Sequence, residues 1–169
     1  MGFFDKLFGG KAKDENTSKF TNQSKTILTP LQGKVLAQAD IPDETFAQGI
    51  LGPGCGIEPT GDTVYAPFDG TVTQIATTLH AVGMTSSEGT ELLIHVGMDT
   101  VDMKGQGFTA LVKEGQKVTA GTPLLKVDLD AIRAAGHPTA TAIIVTDGAD
   151  EVKMLAEGDV VPGTPLFKV

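Results

Sequence analysis

From Thr26 onward, short runs of Val, Ile, Leu and Thr alternate with clusters of Gly, Pro, Asp and Ser. The runs at 33–38, 63–66, 70–77, 90–98, 110–113, 123–127, 141–146 and 165–169 have the length and β-branched content of strands. The breakers between them recur too closely for long helices. Two short helices are expected, at 43–48 with Asp43 as N-cap and at 128–135 ended by Gly136, and a further turn at 149–155. The pattern predicts an all-β protein, an antiparallel β-sandwich of barrel-sandwich type with a few short helices.

Two internal echoes refine this. Thr29-Pro-Leu-Gln-Gly-Lys-Val35 repeats as Ala66-Pro-Phe-Asp-Gly-Thr-Val72, and in both a Pro-x-x-Gly turn feeds a strand. Glu114-Gly-Gln-Lys-Val118 with Gly121-Thr-Pro-Leu-Leu-Lys-Val127 repeats as Glu157-Gly-Asp-Val-Val161 with Gly163-Thr-Pro-Leu-Phe-Lys-Val169. The two spacings differ, which excludes a solenoid and points to two pseudo-symmetric halves of one sandwich.

The segment 76–99 carries the chemistry. Two strand-like runs flank Ser86-Ser87-Glu88-Gly89, read as a four-residue hairpin loop. Paired positions then sum to 175, which sets His80 opposite His95, Thr78 opposite Gly97 and Val82 opposite Leu93. Direct cross-strand partners share a face with Cβ atoms about 5 Å apart. Alternation assigns Leu92, Ile94, Val96 and Met98 to the core, and Glu91, Leu93, His95, Gly97 and Asp99 to the outer face. The histidine pair is therefore expected in a shallow outward depression. Gly97 leaves room for a ligand, Thr78 can fix an imidazole tautomer, and Val82 and Leu93 form an apolar collar.

A neutral imidazole is a good nucleophile toward phosphorus and yields a labile phosphoramidate, which suits a carrier. The second imidazole and the backbone near Gly97 could donate to the phosphoryl oxygens. Two other chemistries compete on the residues alone. His80 and His95 could begin a zinc site, and His95-Val-Gly-Met-Asp99 has a His-x-x-x-Asp spacing used by some zinc hydrolases. The one other histidine, His137, lies far along the chain in a Gly-His-Pro loop. The turn pattern also suits a biotinyl- or lipoyl-like carrier module, with Lys104 in Asp102-Met-Lys-Gly105 as the modified lysine.

Composition narrows the field. The chain has 169 residues, a net charge of −8 and a single cysteine, Cys55. An acidic body of this kind excludes nucleic-acid binding through phosphates, and one cysteine excludes a disulfide framework. Residues 1–25 hold five lysines and three acids, a net of +2, which leaves −10 for residues 26–169. The chain is thus expected to divide into a flexible basic tail, 1–25, and one domain, 26–169. Within the tail Phe3, Phe4, Leu7 and Phe8 make one apolar face, so residues 2–9 read as an amphipathic helix for an anionic membrane surface.

The stretches Pro59-Thr-Gly61, Ala66-Pro-Phe-Asp-Gly-Thr-Val72, Thr78-Leu-His-Ala81, Glu91-Leu-Leu-Ile-His-Val-Gly-Met-Asp-Thr-Val101 and Lys104-Gly-Gln-Gly-Phe108 make the chain recognisable. It resembles, over essentially its whole length, the glucose-specific enzyme IIA component of the bacterial phosphoenolpyruvate-dependent sugar phosphotransferase system. Its start, Met-Gly-Phe-Phe-Asp-Lys-Leu, is similar to the free-standing enteric form. The resemblance implies a phosphotransferase component of β-sandwich fold in the cytoplasm, peripheral at the inner membrane face. It implies phosphorylation of His95 at Nε2, support from His80 and Thr78, and an acidic neighbour in Asp99. Phe46, Ile50 and Leu93 would form the docking surface, with Val96 claimed both by it and by the core. The implied donor is the histidine-containing phosphocarrier protein, and the implied acceptor is a cysteine of a sugar-permease IIB domain. No cofactor is obligatory, but a zinc shared by His80 and His95 with a partner is implied. Regulatory binding to permeases, glycerol kinase and adenylate cyclase is implied as well. Leu79, Leu93 and Ala76 depart from the family pattern, where Asn, Phe and an aromatic are expected.

Overall fold

The computed structural model describes residues 19–169. The amphipathic helix expected over 2–9 lies outside the described residues. All strand pairs are antiparallel. In chain order the strands are β1 (Thr26–Leu28), β2 (Gly33–Leu36), β3 (Gly54–Pro59), β4 (Thr63–Tyr65), β5 (Gly70–Ile75), β6 (Ala81–Ser86) and β7 (Glu91–His95). Then follow β8 (Phe108–Ala110), β9 (Lys117–Val118), β10 (Pro123–Val127), β11 (Thr141–Asp147), β12 (Lys153–Met154), β13 (Asp159–Val160) and β14 (Pro165–Lys168). An eight-stranded sheet runs β13-β2-β3-β11-β7-β6-β5-β9, and two three-stranded sheets run β1-β14-β12 and β4-β10-β8. The fold is a β-sandwich, as the alternation predicts, with two short α-helices among the described residues.

The internal echoes become a pseudo-two-fold. Gly33 of β2 pairs with Val160, and Gly70 of β5 pairs with Val118. Gly163 N–H donates to the Thr29 carbonyl, and Gly121 N–H to that of Ala66, both at 2.9 Å. Repeated turn chemistry therefore builds repeated corners, with β11 and β7 at the centre of the large sheet.

Both helices form where capping dictates. The Asp43 side chain accepts from the N–H groups of Thr45 and Phe46 and starts α1 (Glu44–Ala47). Asp128 accepts from Ala131 N–H and starts α2 (Leu129–Ala134), with Gly136 beyond its end at φ +88°. The turn expected at 149–155 is instead the short edge strand β12. β3 carries no strand signal because Gly54 and Gly56 break its pattern. Both glycines are demanded by close approach: a Cβ at Gly54 would meet the Ile143 carbonyl oxygen at 2.0 Å, and one at Gly56 would meet Ile41 at 2.9 Å.

The main core includes Ile57, Val72, Val82, Leu92, Ile94, Val96, Leu124, Ile143 and Phe167. A second, smaller cluster of Ile41, Phe46, Met98, Ala142 and Ile144, flanked by Leu93, occupies the other face of the large sheet. It forms because residues 38–52, with α1, fold back over that face. Met98 joins it instead of the main core, because Gly97 at φ +74° turns the chain after β7. The packed body also begins upstream of Thr26. The Phe20 ring lies 5.6 Å from that of Tyr65, and Ser24 Oγ and Lys25 N–H donate to the Glu88 carboxylate at 2.6 and 2.7 Å.

Candidate functional site

The β6–β7 hairpin differs from expectation by one residue. Ser86 N–H bonds the Thr90 carbonyl and Gly89 N–H bonds that of Ser86, so the loop is Ser87-Glu88-Gly89, with Gly89 at φ +95°. Three-residue loops of this kind place a glycine in the left-handed region at the third position. Paired positions therefore sum to 176: Ala81 faces His95, Val82 faces Ile94 and Gly83 faces Leu93. A shift of one residue exchanges the faces of a strand. Val82 is consequently 1% exposed in the main core, which overturns its assignment to the docking collar. Val96 is fully buried too, so the core reading of that residue holds.

His80 nevertheless meets His95, because it lies outside the regular ladder. It closes the turn between β5 and β6, where Ala76 N–H donates to the Ala81 carbonyl and Leu79 N–H to that of Ala76. Leu79 adopts φ +65°, a conformation unusual for a bulky side chain. The reversal brings Thr78 Oγ1 within 2.7 Å of His80 Nδ1. The two imidazoles then stand edge to face, their centroids 4.7 Å apart with an interplanar angle of 83°. Thr78 does not face Gly97 across a ladder, as expected, but bonds the histidine of its own turn.

His95 ends β7. Its Nδ1 donates to the Gly97 carbonyl at 2.9 Å, because a carbonyl can only accept. Neutral His95 therefore carries its proton on Nδ1 and its lone pair on Nε2. Gly97 is buried as well as left-handed: a Cβ there would meet Thr100 Cγ2 at 2.5 Å and the Pro138 carbonyl oxygen at 3.0 Å. The glycine that the sequence suggested as ligand space thus serves the backbone turn. Thr100 Oγ1 donates to the Val96 carbonyl at 2.6 Å, and Met98 N–H donates to that of Pro138, so the turn is held from both sides.

Phe46 is 6% exposed, and its ring lies 4.9 Å from that of His95. It is a wall of the depression rather than an open contact face. Leu93 is half-buried beside the same cluster, whereas Ile50 is 67% exposed and Asp99 is exposed at φ +59°. Burial lowers the pKa of His95, opposed by the bond to the Gly97 carbonyl and by the charges of Asp43 and Asp99. Burial and then the neighbouring His95 push His80 down to about 4. Both rings are neutral at pH 7. The electrostatic part played by Asp43 has no separate signal in the sequence, where the residue reads as a helix cap.

Among the described residues, no three His, Cys, Asp or Glu side chains gather to hold a metal. Lys104 follows the 3-10 turn Thr100–Met103 and is left-handed at φ +56°. Cys55 lies buried in β3, its thiol pushed up to about 12 by burial, and takes no part in the depression. No described helix is long and apolar enough to cross a membrane.

Comparisons with known proteins place the chain in a family. Residues 25–151 match the family model of the phosphoenolpyruvate-dependent sugar phosphotransferase system, EIIA 1. The glucose-specific EIIA component of Halalkalibacterium halodurans is 45% identical over 146 residues, which cover 85% of this chain and 83% of that protein. The β-glucoside-specific EIIBCA component of Bacillus subtilis is 47% identical over 72% of this chain, but the match spans only 20% of that longer protein. The solved structure of glucose permease IIA from Mycoplasma capricolum superimposes with a TM-score of 0.80 at 30% identity, covering 89% of this chain and 98% of that one. The chain therefore belongs to the phosphoenolpyruvate-dependent sugar phosphotransferase system EIIA 1 family and is a phosphotransferase component.

Proposed function

We propose that His95 accepts a phosphoryl group from the phosphohistidine of the histidine-containing phosphocarrier protein and passes it to a cysteine of a sugar-permease IIB domain. The observation that carries this reading is the bond from His95 Nδ1 to the Gly97 carbonyl, which leaves Nε2 as the nucleophile. In the first step the Nε2 lone pair attacks phosphorus. A new N–P bond forms, the donor's N–P bond breaks, and its electron pair stays on the donor imidazole. In the second step a cysteine thiolate attacks the same phosphorus, and the pair of the His95 N–P bond returns to Nε2. Such transfer depends on positioning and on stabilising the charge of the equatorial oxygens. A Thr78 hydroxyl that donates to His80 Nδ1 keeps the proton on His80 Nε2, available to a phosphoryl oxygen. Leu93 and Ile50 then belong to the docking rim, and Asp99 and Asp43 to its acidic border.

The fused architecture of relatives supports a IIB acceptor, since EIICBA and EIIBCA proteins carry the matching segment within a longer chain. Glucose is the substrate class named for several of them. The same two imidazoles can also supply two zinc ligands, because Thr78 can instead accept from His80 Nδ1–H and free Nε2. A partner would provide the remaining ligands. Regulatory binding to permeases, glycerol kinase and adenylate cyclase belongs to the same reading: a phosphoryl group in the depression changes both its charge and its shape. The protein would act in the cytoplasm, with its N-terminal tail at the inner membrane face.

The test mixes the protein with phosphoenolpyruvate, enzyme I and the phosphocarrier, and reads intact mass at alkaline pH. One phosphate is expected on the wild type and on His80→Gln, and none on His95→Gln. Loss on His80→Gln alone would reverse the two roles. An unmodified wild type would overturn the phosphotransfer reading.

A further inference from the structure

We infer that Gln38 is a positioning residue for partner docking, fastening the segment that carries Phe46 and Ile50 to the start of β3. The inference rests on the phosphotransfer reading above. Gln38 opens the 3-10 turn Gln38–Asp40, far in sequence from either histidine. Its Nε2 donates to the carbonyls of Phe46 and Gly52 at 2.9 and 2.8 Å, and its Oε1 accepts from Gly54 N–H at 3.2 Å. Both amide hydrogens and the amide oxygen are thus committed to backbone groups.

The segment needs fastening from outside. Helix α1 is a single turn, too short to hold itself. Gly49 at φ +74° and Gly52 at φ +138° follow it. The backbone bonds Gly49 N–H to Phe46, Ile50 N–H to Thr45 and Gly52 N–H to Gly49 are all local, so they shape the loop without attaching it to the sheet. Its far end is tied to the sheet, where Val145 N–H donates to the Pro53 carbonyl at 2.8 Å and the Gly52 backbone packs against the Val145 carbonyl, while an open cleft of about 500 Å³ lies beside residues 49–51. Upstream of Gly52 the Phe46 ring, packed into the small cluster, and the Gln38 amide anchor the loop.

The loop nevertheless holds Ile50 at 67% and Leu51 at 41% exposure, large apolar side chains that water does not favour. They follow directly on the helix whose phenylalanine backs His95. Cutting the Gln38 bonds would broaden the orientations of this loop. A docking partner must then select the competent fraction, and its apparent affinity falls in proportion. Chemistry in the assembled complex would be untouched, so the effect belongs in KM rather than kcat.

The test compares Gln38→Met, which keeps the length without hydrogen bonds, and Gln38→Glu, which keeps only the acceptor. Ile132→Val, a core trim outside the segment, serves as a stability control. Initial rates of phosphorylation by the phosphorylated phosphocarrier should show KM raised about 5–10-fold for Gln38→Met, with kcat within about twofold. Gln38→Glu sets a carboxylate oxygen against the Phe46 and Gly52 carbonyls, so it should raise KM at least as much as Gln38→Met, and Ile132→Val should lower thermal stability without moving KM. A KM for Gln38→Met equal to that of Ile132→Val, or a fall in kcat alone, overturns the proposal. Hydrogen exchange at residues 44–52 reads the fastening directly: unchanged protection in Gln38→Met also overturns it. A wild type that takes no phosphate instead removes the transfer reading and the docking role with it, while exchange still reports on the fastening.

Discussion

Leu79 and His80 show how much rests on single dihedral angles. A left-handed leucine costs about 1–2 kcal/mol, and Leu79 recovers part of that by packing against the main core. If the dihedral decides, Leu79→Val must cost more than Leu79→Asn, because a β-branched side chain tolerates φ > 0 worst and asparagine tolerates it well. If packing decides, the order reverses. Urea midpoints of the two variants separate the cases, and we expect valine to be the more destabilising. The histidines also make a pH prediction. The folded-state pKa of His80 is about 4, against an ordinary 6.5. Between these values the unfolded chain binds more protons, so stability is full above about pH 6.5 and falls as the pH drops toward 4. His95, lowered in the same direction, adds to the slope. Urea titrations across this range should show the loss, and His80→Gln should flatten it.

At the scale of elements, the hairpins and the turn after β7 place the chemistry. The carbonyl that orients His95 belongs to Gly97, whose φ of +74° and crowded surroundings admit no side chain. Gly97→Ala should cost at least about 1–2 kcal/mol from the backbone alone, with more from the contact at Thr100. It should also slow phosphoryl acceptance, because the Nδ1 acceptor moves; chemical denaturation and the mass assay check the two effects separately. The strands themselves were legible where β-branched residues dominate, as in β5 and β11, or where an apolar run follows a Gly-Thr-Pro corner, as in β10 and β14. They were not legible where a neighbour forces glycine, as in β3, or where two residues suffice, as in β9, β12 and β13. Both helix caps were legible, since Asp43 and Asp128 act within three residues of themselves.

For the whole molecule, the palindromic large sheet puts β7 and β11 at its centre, away from both edges. Cys55 in β3, adjacent to β11, is 1% exposed with its thiol pushed up to about 12. It should therefore react with a thiol reagent only when the sheet opens globally. Its alkylation rate in dilute denaturant should follow the unfolding equilibrium; fast labelling of the native protein would show that β3 opens by itself. The architecture also explains why the depression is neither a flat sheet face nor a deep pocket. The sheet supplies His95 on a rigid central strand, the β5–β6 turn supplies His80, and residues 38–52 roof the adjacent apolar surface.

Local sequence signals suffice for the all-β class, the sandwich, the repeated corners and the two caps. These follow from alternation, turn residues and local capping, which act within a few positions. Tertiary structure alone decided the register, the inward turn of Val82, the second apolar cluster and the three bonds of Gln38. A register depends on whether a loop has three residues or four, and here that rests on one left-handed glycine, Gly89. The second cluster depends on a segment folding back over a sheet face that alternation marks as outward. Both are contacts between residues distant in sequence, and their energies are not written in the local pattern of either partner.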